Sequence, residues 1–278
     1  MNAQGLTSVT REDIEAQLHI SYSQLNNYLL CPMKYAHNYV WGTPHESKPM
    51  ALILGRAVHK AAQVFYTHLK QARDVPPVDD ICDAFKTDFD ESVKNTDVEI
   101  TFKDGETVQT VRDQGVEFVR LFHSQIQPQE IAAVELPFSI GVPDIFTGRG
   151  NLPVRLTGIF DLIERDSQGT YLIAELKTSS QRFSSLKLEY DLQATVYSFA
   201  LSKMRLATTE SSCLVRYDVL IKNKKPAFEH YFVSRSEKEY ERLIHLINHV
   251  LKAIEARVFY RQTGWQCGDC QFKRACLG

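Results

Sequence analysis

Hydrophobic and polar positions change rhythm three times along this chain. From residue 20 to about 127 the apolar residues fall mostly at helical spacing, and Ser21 stands where an N-cap belongs. Between 131 and 178 the pattern shortens into strand-like runs with turn chemistry between them. A helix is predicted over 186–204, where Leu192, Val196, Phe199 and Ala200 form an apolar stripe. Two strands follow, Leu214–Lys222 and Ala227–Val233, joined by a basic turn at Asn223–Pro226. A helix over 236–259 leads into a cysteine-rich tail at 261–278. Residues 1–19 are expected to be a polar tail, and 20–278 one domain with a helical region (20–127) and a core (131–260). The fold class is α/β, with a central sheet flanked by helices.

Two strand-like runs break the apolar rule. Gly158-Ile159-Phe160-Asp161-Leu162-Ile163 carries one carboxylate, and Tyr171-Leu172-Ile173-Ala174-Glu175-Leu176-Lys177-Thr178 a carboxylate and a lysine two apart. Residues i and i+2 of a strand share a face, and buried charges are costly unless paired or bound to a metal. A loop at Ser167–Gly169 sets Asp161 across from Glu175; a one-residue slip would separate them. Asp161, Glu175 and Lys177 are therefore expected on one face of a hairpin. Aligned carboxylates favour Mg²⁺ or Mn²⁺, which lower the pKa of a bound water and offset charge on a phosphate. A lysine beside them orients that water. The plain alternative is an edge hairpin with a solvated Glu–Lys pair.

These residues resemble the PD-(D/E)XK nuclease superfamily, with Asp161 as the motif aspartate and Glu175-Leu176-Lys177 as the (D/E)XK element. Within it the chain is similar to RecB-type nucleases, which imply a restriction-endonuclease-like core. Gln193 and Tyr197 match their Gln-x-x-x-Tyr element and share a helix face. Gly55-x-x-x-His59 matches their Gly-x-x-x-His element, whose histidine is a metal ligand. Glu135, in Ala133–Ile140, matches a glutamate of the first core strand. The resemblance implies a metal held by His59, Asp161, Glu175 and the Leu176 carbonyl, with Gln193 and Tyr197 near the active-site strands or the DNA.

Six cysteines add a further pattern. Cys267, Cys270 and Cys276 lie near the C-terminus, and Cys31 precedes Pro32. Four thiolates suit an iron–sulfur cluster or Zn²⁺. The three-plus-one arrangement resembles the AddB nuclease domain and the CRISPR adaptation nucleases of RecB type, which implies a 4Fe–4S cluster. Such a link removes roughly 5 kcal/mol of unfolded-chain entropy, so the cluster is expected to staple the chain ends together. Cys82 and Cys213 have no partner motif and read as small buried hydrophobes.

Composition suits a globular protein, 278 residues with 44% hydrophobic. No signal-peptide pattern or run of transmembrane length is seen, and with the thiols this points to the cytoplasm. The net charge of −2 hides an asymmetry. Residues 1–150 carry 13 Lys and Arg against 20 Asp and Glu, whereas 203–278 carry 14 against 8. Asp74–Glu117 is the acidic part and reads as helical, with solvated faces. Lys222, Lys224, Lys225, Arg257, Arg261, Lys273 and Arg274 could meet backbone phosphates. Without a P-loop motif, any strand unwinding needs a helicase, recombination or CRISPR partner. The expected activity is a metal-dependent deoxyribonuclease, an exonuclease on single-stranded ends. The rivals are a non-catalytic DNA-binding or assembly subunit that keeps fold and cluster, and a zinc-stabilised protein without nuclease activity.

Overall fold

The computed structural model describes residues 10–15, 17–204, 214–223 and 225–278. Cys213 and Lys224 lie outside the described residues. The chain opens with α1 (Arg11–Glu15), β1 (His19–Ser21), α2 (Tyr22–Leu30), α3 (Pro32–Tyr35) and one π-helical turn, Ala36–Val40. Ser21 caps α2 by accepting from the Gln24 N–H at 3.2 Å. Pro32 starts α3 at a position that needs no N–H, which leaves Cys31 extended between two helices. Next come β2 (Ser47–Pro49), α4 (Met50–Ala72), α5 (Val78–Lys94), β3 (Glu99–Thr101) and α6 (Val108–Gln125).

The second half holds β4 (Glu130–Ile140), β5 (Arg155–Arg165), β6 (Tyr171–Ser179), α7 (Ser185–Glu189) and α8 (Leu192–Lys203). It ends with β7 (Leu214–Ile221), β8 (Ala227–Ser234), α9 (Glu237–Glu255), a 3₁₀ turn at Trp265–Cys267 and α10 (Lys273–Leu277). The expected boundary at residue 19 falls inside β1, and the helical region contains a two-stranded parallel sheet of β2 and β3. The helix expected over 186–204 is two, because Asp191 stops the chain and caps α8 through the Ala194 N–H at 2.8 Å.

The main sheet runs β1-β5-β6-β7-β8, with β4 also paired to β5. It is mixed: β1 runs parallel to β5 and β7 parallel to β6, and the other pairs are antiparallel. One core cluster joins the sheet to α2, α8 and α9 through Leu25, Phe199 and Leu243. The other joins it to α4, α5 and α6 through Phe65, Phe85 and Phe118. The longer helices α4, α5, α6 and α9 each bury one stripe of a 3.6-residue period, whereas α8 is buried nearly all round. Cys82 belongs to the second core, as a small hydrophobe should.

The decisive feature is the edge of β5 away from β4. There β1 pairs only with Arg155–Thr157, and β6 only with Leu162–Arg165. Among the described residues, the stretch 158–161 has no strand beside it on that edge. Gly158 lies in this stretch because the Phe138 ring covers it: a Cβ there would stand 2.5 Å from Phe138 Cζ.

Candidate active site and cysteine cavity

The gap in the sheet positions the hairpin carboxylates. Asp166 builds the turn, its carboxylate accepting from the Gln168 and Thr170 N–H groups at 2.9 and 2.8 Å. Gly169 supplies the positive φ, +83°. The ladder then pairs Arg165 with Tyr171 and Leu162 with Ala174, a register that brings Asp161 level with Glu175. At that level the strands part. Asp161 Oδ2 takes the Leu176 N–H at 3.2 Å. The Ile159 carbonyl, left without a strand partner on that edge, accepts from the Tyr197 hydroxyl at 2.9 Å.

Regular pleating also breaks here. Phe160 belongs to one core cluster and Leu162 to the other, although two residues apart on a strand normally share a face. On β4 the same exchange occurs between Leu136 and Val134, and Glu135 between them has φ +49°. Such a conformation is costly for a non-glycine residue and concentrates at functional sites. Glu175 and Lys177 share a face, whereas Asp161 sits at a phase change and turns to His59 of α4, 3.2 Å away. His59, Tyr66, Glu135, Asp161, Leu176 and Asp218 line one narrow pocket.

Glu175 is 3% exposed. Its Oε1 accepts from Lys177 Nζ at 2.6 Å and from Gln193 Nε2 at 2.7 Å. Its Oε2 is buried with no hydrogen-bond partner. Burial first, and the charge of Asp161 second, push its carboxyl up to about 7. Burial opposes the charged forms of Asp161, Lys177 and His59 as well, but their neighbours outweigh it. His59 and Lys177 hold the Asp161 carboxyl below the usual range, Glu175 holds the Lys177 ammonium above its own, and Asp161 raises His59. The pair therefore cannot both stay charged at low cost without more positive charge. Among the described residues no three His, Cys, Asp or Glu side chains are gathered tightly enough to enclose a metal ion as they stand. Each carboxylate leans on its own basic neighbour, and the orphaned Glu175 oxygen is the donor that suits a hard cation.

The sequence profile of one family matches residues 19–277, nearly the whole chain. The chain belongs to the PD-(D/E)XK nuclease superfamily. No curated protein matches it. Among solved structures, a protein of Eubacterium rectale called a "putative exonuclease" is 14% identical. The match covers 97% of this chain and 93% of that one, with a TM-score of 0.54, a likeness of fold. The protein named SSO0001 aligns over 92% of each chain at 12% identity, but its TM-score of 0.39 carries no argument. Among the described residues of this superfamily member, no helix is long and apolar enough to cross a membrane.

In this PD-(D/E)XK protein Cys31, Cys267, Cys270 and Cys276 line a second cavity with Lys34 and Arg261. None is in a disulfide. Segments from the first and last parts of the chain meet here through backbone contacts: Met33 N–H to the Tyr260 carbonyl at 3.1 Å, and Glu46 N–H to that of Gln271 at 2.9 Å. The Glu46 carboxylate then caps α10, accepting from the Arg274 and Ala275 N–H groups at 2.9 and 2.7 Å.

The basic residues expected to meet phosphates do not all lie in one place. Arg261 and Lys273 line the cysteine cavity, whereas Lys222 pairs with Glu106. Sequence reasoning also missed a buried cluster beside the site. Arg216 holds Glu164 with both terminal nitrogens at 2.8–2.9 Å and Asp218 at 2.8 Å, and His230 Nδ1 lies 2.5 Å from Asp218. The signal was present: Arg216 and Asp218 stand two apart in an apolar strand, as Glu175 and Lys177 do.

Proposed function

We propose that this superfamily member is a divalent-metal-dependent deoxyribonuclease of RecB type that removes nucleotides from single-stranded DNA ends. The observation that carries the reading is the orphaned, buried oxygen of Glu175 beside the Asp161 carboxylate and the Lys177 ammonium. Asp161 and Glu175 would hold Mg²⁺ or Mn²⁺, with His59 and the Leu176 carbonyl beside them. Such an ion, when bound, lowers the pKa of a water and offsets charge at the scissile phosphate. Lys177 Nζ, 2.6 Å from Glu175 Oε1, would orient that water. Gln193 holds Glu175 in place, and Tyr197 holds β5 open at Ile159. Glu135, level with Asp161 on β4, would be a further group near such an ion. Unwinding would fall to a helicase, recombination or CRISPR-adaptation partner.

The cysteine cavity would hold a 4Fe–4S cluster as a structural staple. Four free thiols line one cavity with Lys34 and Arg261 to offset thiolate charge, the donor set such a group needs, although the thiols would have to draw closer together to enclose it. Iron and acid-labile sulfide in the purified protein check this, and zinc in their place would refute it. Single strands labelled at the 5′ or 3′ end, incubated with Mn²⁺ or Mg²⁺, test the activity. Stepwise shortening from one end is expected; no cleavage with either ion would overturn the reading in favour of a non-catalytic DNA-binding subunit.

A further inference from the structure

A cleft opens on the far side of the (D/E)XK element. Its lining comes from Ala51 and Leu54 of α4, Lys103 and Glu106, the hydroxyl run Thr178-Ser179-Ser180 and Lys222. Two connections tie it to the candidate active site. Thr178 is the residue after Lys177, and Ala51 and Leu54 precede His59 by one to two turns of the same helix. At about 3.3 Å per strand residue, Ser179 and Ser180 lie roughly 7–10 Å beyond Lys177. That distance suits the next phosphates of an extended strand.

Inside the cleft a carboxylate occupies an anion cradle. Lys103–Glu106 is a tight turn, with Gly105 at φ +76°. The turn aims the Lys103 N–H at Glu106 Oε2, 3.0 Å away. Lys222 Nζ donates to Oε1 of the same group. The Lys222 N–H is fixed on the Ser179 carbonyl at 2.8 Å, so the lysine is mounted on the end of β6. Burial works against ionised Glu106, yet Lys222 and the Lys103 N–H hold its carboxyl below the usual range. Two ammonium groups, a backbone N–H and the hydroxyls of Thr178 and Ser180 form a donor set that suits a phosphodiester, while the Ser179 hydroxyl donates to the Gln181 carbonyl at 2.6 Å. With Glu106 in place the lining still has one positive charge in excess.

We propose that this cleft is a phosphate subsite for the DNA strand leaving the active site, and that Glu106 is its resident counter-anion, displaced when the strand binds. The proposal rests on the nuclease reading above. A purely structural Glu106–Lys222 clamp makes the opposite prediction for one of two substitutions, and this decides the matter. Loss of a clamp has the same sign from either side. Loss of a competitor and loss of a ligand have opposite signs.

The test measures binding of a fluorescein-labelled single-stranded oligonucleotide to the full chain by anisotropy, with Ca²⁺ in place of Mg²⁺ or Mn²⁺, across a salt series. Glu106→Gln is expected to tighten binding about five-fold. Lys222→Gln should weaken it about ten-fold and make the log–log salt slope shallower by about 0.7, the loss of one phosphate contact on a single strand. Lys103→Gln, which breaks no direct ion pair, should weaken it about three-fold. Equal signs for Glu106→Gln and Lys222→Gln, or no change in either, overturn the subsite. Opposite signs in a wild-type protein that binds but never cuts support the subsite and overturn the nuclease reading. A wild type that neither binds nor cuts overturns both.

Discussion

The carboxylate centre at the β5 gap and the cysteine cavity both gather candidate ligands from distant parts of the chain, yet they are held together differently. At the gap the ligands are charged and buried. Glu175 and Asp161 repel each other, and the centre depends on His59 and Lys177 for compensation. In the cysteine cavity the thiols cost little when neutral. What joins the ends there is backbone pairing and the Glu46 carboxylate on α10. A cation at the first place would relieve electrostatic strain. A cluster at the second would act by cross-linking, through the entropy of the unfolded chain. The first is a chemical centre that the fold strains to keep, and the second a fastening that the fold has already aligned.

Substitutions can break this contrast. The largest effect is expected at the gap: Asp161→Ala and Lys177→Ala should each lower metal-dependent cleavage of end-labelled DNA by about 10³-fold or more. Circular dichroism should show the fold retained in both. Cleavage near the wild-type rate in either would dissolve the chemical side of the comparison. Next in size is Cys270→Ser, which should lose the bound iron and lower the melting temperature by roughly 10 °C. A wild-type melting temperature in that variant would mean that backbone pairing alone fastens the ends.

A smaller effect should follow pH. Glu175 titrates near 4.5 in the unfolded chain and near 7 in the folded one. A raised folded value means stability that is present below pH 4.5 and lost as pH rises through 7. The metal-free protein should therefore melt at a lower temperature at pH 7.5 than at pH 5, and Mn²⁺ should restore more at the higher pH. Glu175→Gln should flatten that dependence; an unchanged slope would remove Glu175 as its source. The least effect is expected from Tyr197→Phe. It leaves the Ile159 carbonyl unpaired, a loss of about 1–3 kcal/mol that should appear as a drop of a few degrees in melting temperature.

What was legible in the sequence was whatever broke a local rule. A carboxylate in an apolar run, a turn with Asp and Gly at fixed places, and Gln193 four residues before Tyr197 each carry their meaning within a few positions. The rest depended on long-range pairing. β1 and β3 are three residues long, too short for any period to show. The split edge of β5 exists only because β1 pairs with it from more than 130 residues away. Likewise Glu106 reads as one of many solvated acids until the fold sets it on Lys222, 116 residues later. Arg216 and Asp218 also break the local rule, but no family motif names them.

Glu164 carries a consequence for the order in which the chain assembles. It stands one residue beyond Ile163 in the β5–β6 hairpin and is wholly buried, and its carboxylate is held by Arg216 of β7, 52 residues further on. The hairpin can close early because its contacts are local, but β7 joins β6 in parallel and must wait for a long crossover. Until then Glu164 has to remain in water. Docking of β7 is therefore expected to be the step that takes Glu164 out of water, since only then does Arg216 reach it.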